Sequence, residues 1–313
     1  MNILITGGLG FIGSYFAEKL ADKSDRIIIL DNLSGHSESG LLTLRKFKNV
    51  HIHEIDIREN DISKYFKNID IVYHFAANSK ISEGVNNPNI DFEITTRGTH
   101  NVLMSMMENN VKNIVFSSGS GVYGDQKDKL LTEDFGPLLP VSFYGASKLC
   151  AEAYIASFCG MKGFQAYIFR FANVVGYRQT HGVVYDFYHK LKQNKTSLEV
   201  LGDGYQSKSY IDVDDIFQAI QLALKKQTNT LEVYNIGTND YVTVRDIAKI
   251  VLDSLNLDNA VINYGEESFG WVGDVPIVRF SSEKIRSLGW QNKYTSYEAI
   301  ERAIQFVKDD DNN

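Results

Sequence analysis

Only two cysteines, Cys150 and Cys159, occur in 313 residues. That is too few for a disulfide framework or a cysteine-rich metal site. There are four prolines and no low-complexity tract, so no obvious flexible linker divides the chain. No apolar run approaches the roughly 20 residues of a membrane-spanning helix, and no cationic leader precedes the first apolar stretch. Basic residues are the minority, 32 against 39 acidic, for a net charge of -7. The lack of a basic excess argues against a nucleic-acid partner. The seven histidines show no metal-ligand spacing. These absences predict a cytoplasmic protein with no metal and no membrane contact. What is present, 43% hydrophobic and 23% charged residues, suits a globular chain with a substantial core. Only the acidic tail at 309–313 is expected to fray.

The chain starts with an apolar run, Ile3-Leu4-Ile5, that stops at Gly7-Gly8-Leu9-Gly10-Phe11-Ile12-Gly13. Glycines at 7, 10 and 13 form the G-x-x-G-x-x-G variant of a dinucleotide-binding turn. Gly7 would allow the tight turn, Gly10 the approach of a pyrophosphate, and Gly13 the close packing of a following helix. Phosphates would then meet the free N–H groups of a helix N-terminus, at Phe11 and Ile12. A second apolar run, Ile27-Ile28-Ile29-Leu30, ends in Asp31-Asn32. An acid about 20 residues past the glycines is placed to accept ribose hydroxyls, which favours NAD over NADP.

Apolar runs alternate with helical patterns through the first half. Strands are expected at 2–6, 26–31, 50–55, 70–74, 112–118 and 164–171, with helices at 11–23, 59–66, 90–110 and 142–160. This predicts an α/β fold, a Rossmann-type doubly wound parallel sheet, with ligands beyond the carboxyl ends of the strands. The second half, with helices expected at 182–194, 213–225, 243–255 and 295–308, reads as a smaller α+β substrate-binding lobe. Its short strands are expected at 198–201, 208–211, 231–236 and 260–263. The NAD-binding domain is expected to span 1–174 plus about 209–237, and the lobe 175–208 and 238–313.

Tyr144 and Lys148 lie four apart in Phe143-Tyr144-Gly145-Ala146-Ser147-Lys148, so both face one side of a helix. A neighbouring ammonium, together with an oxidised nicotinamide, would lower the phenol's pKa and let Tyr144 take a proton from a sugar hydroxyl as hydride leaves to NAD. Lys148 would also hydrogen-bond the nicotinamide ribose. Ser117-Ser118-Gly119-Ser120 ends the strand at 112–118, where hydroxyls can bridge substrate and phenol; Ser118 and Ser120 are the candidates. Cys150 and Cys159 read as small buried hydrophobes, Glu133 and Asp134 as loop residues, and Lys190, Lys192 and Lys195 as an exposed helix face. His181 reads as a sugar-pocket residue or a helix N-cap.

Together these motifs resemble the extended short-chain dehydrogenase/reductases, in the group of NAD-dependent nucleotide-sugar epimerases and dehydratases related to UDP-glucose 4-epimerase. The resemblance also rests on Asp56-Ile57-Arg58, His74-Phe75-Ala76-Ala77, Val122-Tyr123-Gly124 and Arg170-Phe171-Ala172-Asn173-Val174. Gly202-Asp203-Gly204, Val213-x-Asp215 and Tyr234-Asn235-Ile236-Gly237 extend it over nearly the whole chain. It implies that Asp56 and Ile57 touch the adenine, Ala76 and Ala77 the pyrophosphate, and that Phe171 lies near the nicotinamide. It implies a nucleotide-diphosphate sugar as substrate, with Asn173 on a phosphate and the stretch from Val200 to Gly204 bordering the nucleoside. It also implies a homodimer through the helices at 90–110 and 142–160.

Several positions depart from the family pattern. Gly119 stands where the catalytic hydroxyl is usual, Lys208 and Trp271 replace arginines, and Thr95 replaces an asparagine. Arg178 is the candidate for the missing guanidinium fork. The leading expectation is a 4-epimerase working through a transient 4-keto sugar. A 4,6-dehydratase is the alternative, but its Asp-Glu pair is replaced by Ser120 and Gly121. A 4-keto reductase or dehydrogenase could use the same Tyr/Lys pair, and a non-catalytic NAD-binding sensor is a minor alternative.

Overall fold

The computed structural model describes residues 1–59, 61–226 and 229–311. Two compact units are present. The first comprises 1–122, 143–170 and 226–234; the second comprises 123–142, 171–225 and 235–313.

The first unit is organised by a seven-stranded sheet. Its strands are β1 (Asn2–Thr6), β2 (Arg26–Asp31), β3 (Val50–Glu54), β4 (Ile71–His74), β5 (Asn113–Gly119), β6 (Gln165–Phe171) and β7 (Leu231–Ile236). They stand in the order β7-β6-β5-β4-β1-β2-β3. The β1–β2, β1–β4, β2–β3 and β4–β5 pairs are parallel, with Ile3 opposite both Ile27 and Ile71. Parallel strands are buried on both faces, which is why they read as unbroken Ile/Leu/Val runs. Leu4, Leu30, Val72, Ile114 and Phe116 join one core with Val102, Met106 and Ile155. On α1 (Phe11–Ala21), Phe16 packs on Tyr73 and Phe75, at ring centroid distances of 6.1 and 4.9 Å. The strand order reverses between β1 and β4, so the carboxyl ends of those two strands form the switch point where such sheets bind ligands.

The expected helix at 59–66 is replaced by a 3-10 turn, Ser63–Phe66. Asp56 takes up the preceding backbone, accepting from the Arg58 N–H on its side chain and the Glu59 N–H on its carbonyl. Asn60 lies outside the described residues. The expected helix at 90–110 is broken into the turn Asn89–Asp91, a π-helical segment Phe92–Arg97, and α2 (Gly98–Glu108). Helix α3 (Phe143–Lys162) follows the expected span closely and carries Tyr144 and Lys148.

The second unit packs helices α4 (Val183–Gln193), α5 (Val213–Lys225), α6 (Val244–Leu255) and α7 (Ser296–Asp311) with short two-stranded pairings. Its core includes Val184, Phe187, Leu198, Ile247, Val251, Ile300 and Ile304. Residues 123–142, 171–174, 209–225 and 235–237, expected in the first domain, fall in this unit. The Tyr123 hydroxyl donates to Asn235 Oδ1 at 2.7 Å, and Asn235 Nδ2 donates to the Leu131 carbonyl at 2.9 Å. Strand Tyr210–Asp212 pairs in parallel with Asn173–Val175. The tail does not fray at 309–311: α7 continues to Asp311, which is held by Lys192 and by the Tyr188 hydroxyl. Asn312 and Asn313, also expected to fray, lie outside the described residues.

Candidate active site

In the first unit, the glycine turn joins the ends of β1 and β4. Gly7 adopts φ +65°, and a Cβ there would come within 2.7 Å of the Ala76 nitrogen. A Cβ on Gly13 would lie 2.0 Å from the Gly7 carbonyl oxygen, so only glycine lets α1 close on the turn. Gly10 differs: its missing side chain faces nothing nearer than 3.5 Å. It caps α1 without any side-chain hydrogen bond, which keeps the first-turn N–H groups of Phe11 and Ile12 for an anion. Asp31 at the end of β2 accepts from the Leu9 and Leu33 N–H groups, both at 2.9 Å. It therefore holds the glycine loop, with carboxylate lone pairs left for a ribose. This cradle fits a dinucleotide.

Asn32 donates to Asp56 at 3.0 Å, and the Arg58 guanidinium clamps the same carboxylate at 2.6 and 2.8 Å. That clamp holds the Asp56 carboxyl down at about 2. Ile57 is buried and packs its side chain toward Gly98, so any adenine contact would come from its backbone. Ala76 and Ala77 are half-buried at the end of β4.

The Lys148 ammonium is buried, donates to the Ser117 carbonyl at 2.7 Å and lies 5.7 Å from the centre of the Tyr144 ring. Burial pulls its pKa down to about 7, opposed by the charges of Glu152 and Asp91. The lowering expected for Tyr144 calls for oxidised nicotinamide as well as the ammonium, and the protein alone does not produce it. Burial, reinforced by the Asp91 charge, pushes the phenol up to about 12.

The two serine candidates separate. Ser118 is buried and donates to Glu152 Oε1 at 2.5 Å, while Arg170 forks onto the same carboxylate at 3.1 and 2.7 Å. Its hydroxyl proton is given to this network, and its oxygen keeps acceptor capacity. Ser120 is half-buried and opens the 3-10 turn Ser120–Tyr123. In that turn, Gly121 stands against Gly145 and the Tyr144 ring, with 3.4 Å from an added Cβ to the Gly145 Cα.

Sequence reasoning missed Glu152, Asp91 and the buried His74 chain. Glu152 sits one turn past Lys148, a spacing that could have exposed it. In the chain, Thr6 Oγ1 donates to His74 Nδ1 at 2.6 Å and His74 Nε2 donates to Thr99 Oγ1 at 2.9 Å, because Thr99 itself donates to the Thr95 carbonyl. Burial, with the Lys148 charge adding, pulls the His74 imidazole down to about 3.

The second unit holds the other candidates. Asn173 opens the strand Asn173–Val175 opposite Tyr210, and the buried Phe171 closes β6 just before it. Arg178 is buried at φ +69°. Lys208 does not stand free: it donates to Asp274 at 2.6 Å. The Trp271 carbonyl accepts from the Asp274 N–H at 3.0 Å, with the indole half-buried. Val200 packs into this unit's core. His181 is exposed, and the residue that caps α4 is Gly182. Among the described residues no group of three acidic, histidine or cysteine side chains is arranged for a metal, and no helix is long and apolar enough to cross a membrane.

The NAD dependent epimerase/dehydratase family model matches residues 3–237. A crystal structure of a UDP-galactose 4-epimerase superposes with a TM-score of 0.87, at 33% identity over 99% of both chains. The dTDP-D-glucose 4,6-dehydratase of Homo sapiens is 30% identical, over 100% of this chain and 91% of that protein. DesIV, a dTDP-glucose 4,6-dehydratase from Streptomyces venezuelae with NAD and TYD bound, superposes with a TM-score of 0.91 at 26% identity, over 99% of this chain and 97% of that one. These matches run through the glycine turn, the switch-point strands and the Tyr144 helix. With NAD as its cofactor, the chain belongs to the NAD dependent epimerase/dehydratase family, the extended short-chain dehydrogenase/reductases that work on nucleotide sugars.

Proposed function

We propose that this chain is a nucleotide-sugar 4-epimerase that acts through a transient 4-keto sugar. The observation that carries this reading over dehydration is the turn after β5. A 4,6-dehydratase must move a proton and a hydroxide across C5 and C6, which calls for an acid/base pair beside the phenol. Here the turn against the Tyr144 ring carries Ser120 and Gly121, with no acidic residue in it.

Bound NAD supplies the hydride acceptor and donor. Tyr144 takes the proton of the sugar 4-hydroxyl as hydride leaves C4, and gives it back to the 4-oxygen when hydride has returned to the opposite face of C4. Lys148, fixed on the Ser117 carbonyl, offers its remaining N–H groups to the nicotinamide ribose and stabilises the phenolate. Ser120 hydrogen-bonds the reacting hydroxyl in place of the side chain that Gly119 lacks. The glycine turn and Asp31 hold the pyrophosphate and adenosine ribose, with Asp56 and the Ile57 backbone at the adenine. Asn173, Arg178, Lys208 and Trp271 bind the nucleotide sugar, Lys208 exchanging its Asp274 partner for phosphate.

Incubation of the purified protein with UDP-, GDP- and dTDP-hexoses, followed by proton NMR, tests the reading. A 4-epimer with no net NADH supports it. A 4-keto-6-deoxy sugar would make the enzyme a dehydratase, and net NADH a dehydrogenase. A homodimer through α2 and α3 belongs to the same proposal. Exposed Tyr154 on α3 makes an edge contact with His100 of α2, with ring centres 5.7 Å apart. A light-scattering mass of one chain would refute the dimer.

A further inference from the structure

In the second unit, Lys208 closes the two-residue strand Ser207–Lys208 and donates to Asp274 Oδ1 at 2.6 Å. The two side chains are only 18% and 12% exposed, so water screens the pair little. Asp274 also serves its own turn. Its Oδ2 accepts from the Gly270 N–H at 3.3 Å, and its backbone N–H donates to the Trp271 carbonyl at 3.0 Å. One carboxylate therefore ties the ammonium to the turn 270–274. The segment just before that turn lies on the loop 202–206. The Asp203 N–H donates to the Glu267 carbonyl at 2.7 Å, and the Gly265 N–H to the Gly202 carbonyl at 2.9 Å. A Cβ on Gly202 would meet the Phe269 and Glu267 carbonyl oxygens at 2.6 and 3.0 Å on one side and Gln206 Nε2 at 2.3 Å on the other. Gln206 is 3% exposed, and among the described residues neither its Nε2 nor its Oε1 has a hydrogen-bond partner. Burying both ends of an amide unpaired is unfavourable. The closed arrangement carries that penalty, and a contact elsewhere must offset it.

We propose that the Lys208–Asp274 pair is a latch, which holds the turn 270–274 closed before nucleotide binds and opens when a diphosphate takes the ammonium. This part for Asp274 rests on Lys208 as a phosphate ligand. An ammonium has three donors, enough in number to hold Asp274 and a phosphate together. Charge decides against sharing. A carboxylate and a diphosphate on one ammonium would lie side by side where water screens poorly, and like charges there repel. Lysine is also a point charge, with no planar fork to seat two anions in fixed places. Once the ammonium turns to phosphate, Asp274 keeps only its long bond to the Gly270 N–H and faces a new negative charge. The turn then loses its tie to the strand Ser207–Lys208, and the Gln206 amide can leave its unpaired burial. Entry of the diphosphate is in this way coupled to opening of the loop that borders it.

Hydrogen exchange of the NAD-loaded protein, read by mass spectrometry on a peptide spanning 266–276, tests the latch with UDP as probe. A ligand that merely covers a turn slows its exchange; a latch predicts the reverse. Saturating UDP should speed exchange of the Gly270 and Asp274 amides about tenfold. Uridine, which brings no phosphate, should leave them unchanged. Asp274→Asn keeps the shape and removes the charge. It should exchange at the fast rate without UDP and bind UDP about tenfold more tightly, since nothing then competes for Lys208. Slowed or unchanged exchange in the parent with UDP bound overturns the latch, and that arm needs no variant to fold. An Asp274→Asn protein whose turn is as protected as the parent's overturns it as well. Lys208→Met separates the latch from the reading beneath it. If this variant binds UDP as the parent does, Lys208 is no phosphate ligand and both fall. If it loses UDP while the parent's turn stays protected with UDP bound, the phosphate role stands and the latch alone fails.

Discussion

The Ser118 hydroxyl donates to Glu152 Oε1 at 2.5 Å, and we propose that this bond gives the serine a part in the frame rather than in the chemistry. Glu152 is also gripped by Arg170 and lies one turn from Lys148 on α3. Ser118→Ala therefore removes a charge-assisted bond to a buried carboxylate. It should cost about 1.5–3 kcal/mol of stability, read as a lower denaturation midpoint, while the kcat of the folded fraction stays within a few-fold of the parent. A collapse of kcat at unchanged stability would return Ser118 to the chemistry.

Ser120 should show the reverse pattern. It is half-buried in the turn beside Tyr144 and has no part in the Glu152 network. Ser120→Ala should lower kcat about tenfold or more and leave the melting temperature nearly unchanged. Equal kcat for the two proteins would mean that an ordered water, not Ser120, supplies the hydrogen bond missing at Gly119.

Tyr144→Phe deletes one oxygen and leaves Lys148 bound to Ser117. General acid/base loss of this kind costs roughly 10²–10⁴-fold in rate. Turnover should fall to background, while NAD, held by the glycine turn and Asp31, should still co-purify. Loss of NAD together with activity would place the phenol in cofactor binding instead.

Much of the cofactor end was legible in the sequence because it depends on backbone geometry and local spacing. Gly7 and Gly13 are required by approaches of 2.7 and 2.0 Å, and no other residue type would fit. Tyr144 and Lys148 are four apart on one helix, a relation visible in the letters alone. What stayed hidden are pairings across long stretches of chain. Ser118 meets Glu152 34 residues later, and Lys208 meets Asp274 66 residues later. The helix expected at 90–110 is interrupted by the π-helical segment Phe92–Arg97. Periodicity cannot show such a break, since the apolar spacing on either side still reads as one helix. The spacing likewise shows an ammonium beside a phenol, but not that Lys148 is buried.

His74 provides a pH test that is independent of substrate. Its imidazole is 0% exposed and neutral, with its folded-state pKa pulled to about 3 from the ordinary 6.5. In the unfolded chain the ring takes up a proton below about pH 6.5, whereas the folded protein takes it up only near the lower value. Between those limits the unfolded state binds more protons, so stability falls as pH falls, by about 1.4 kcal/mol per pH unit. From about pH 6.5 to pH 5 the loss from this one group should be on the order of 2 kcal/mol. His74→Gln retains one donor and one acceptor for Thr99 and Thr6 and carries no titrating ring. It should be less stable than the parent at neutral pH and should show a shallower decline toward pH 5. Denaturant midpoints at several pH values give both slopes. Parallel slopes in the two proteins would mean that His74 is charged in the fold, and that the Thr6–His74–Thr99 chain runs with a different proton arrangement.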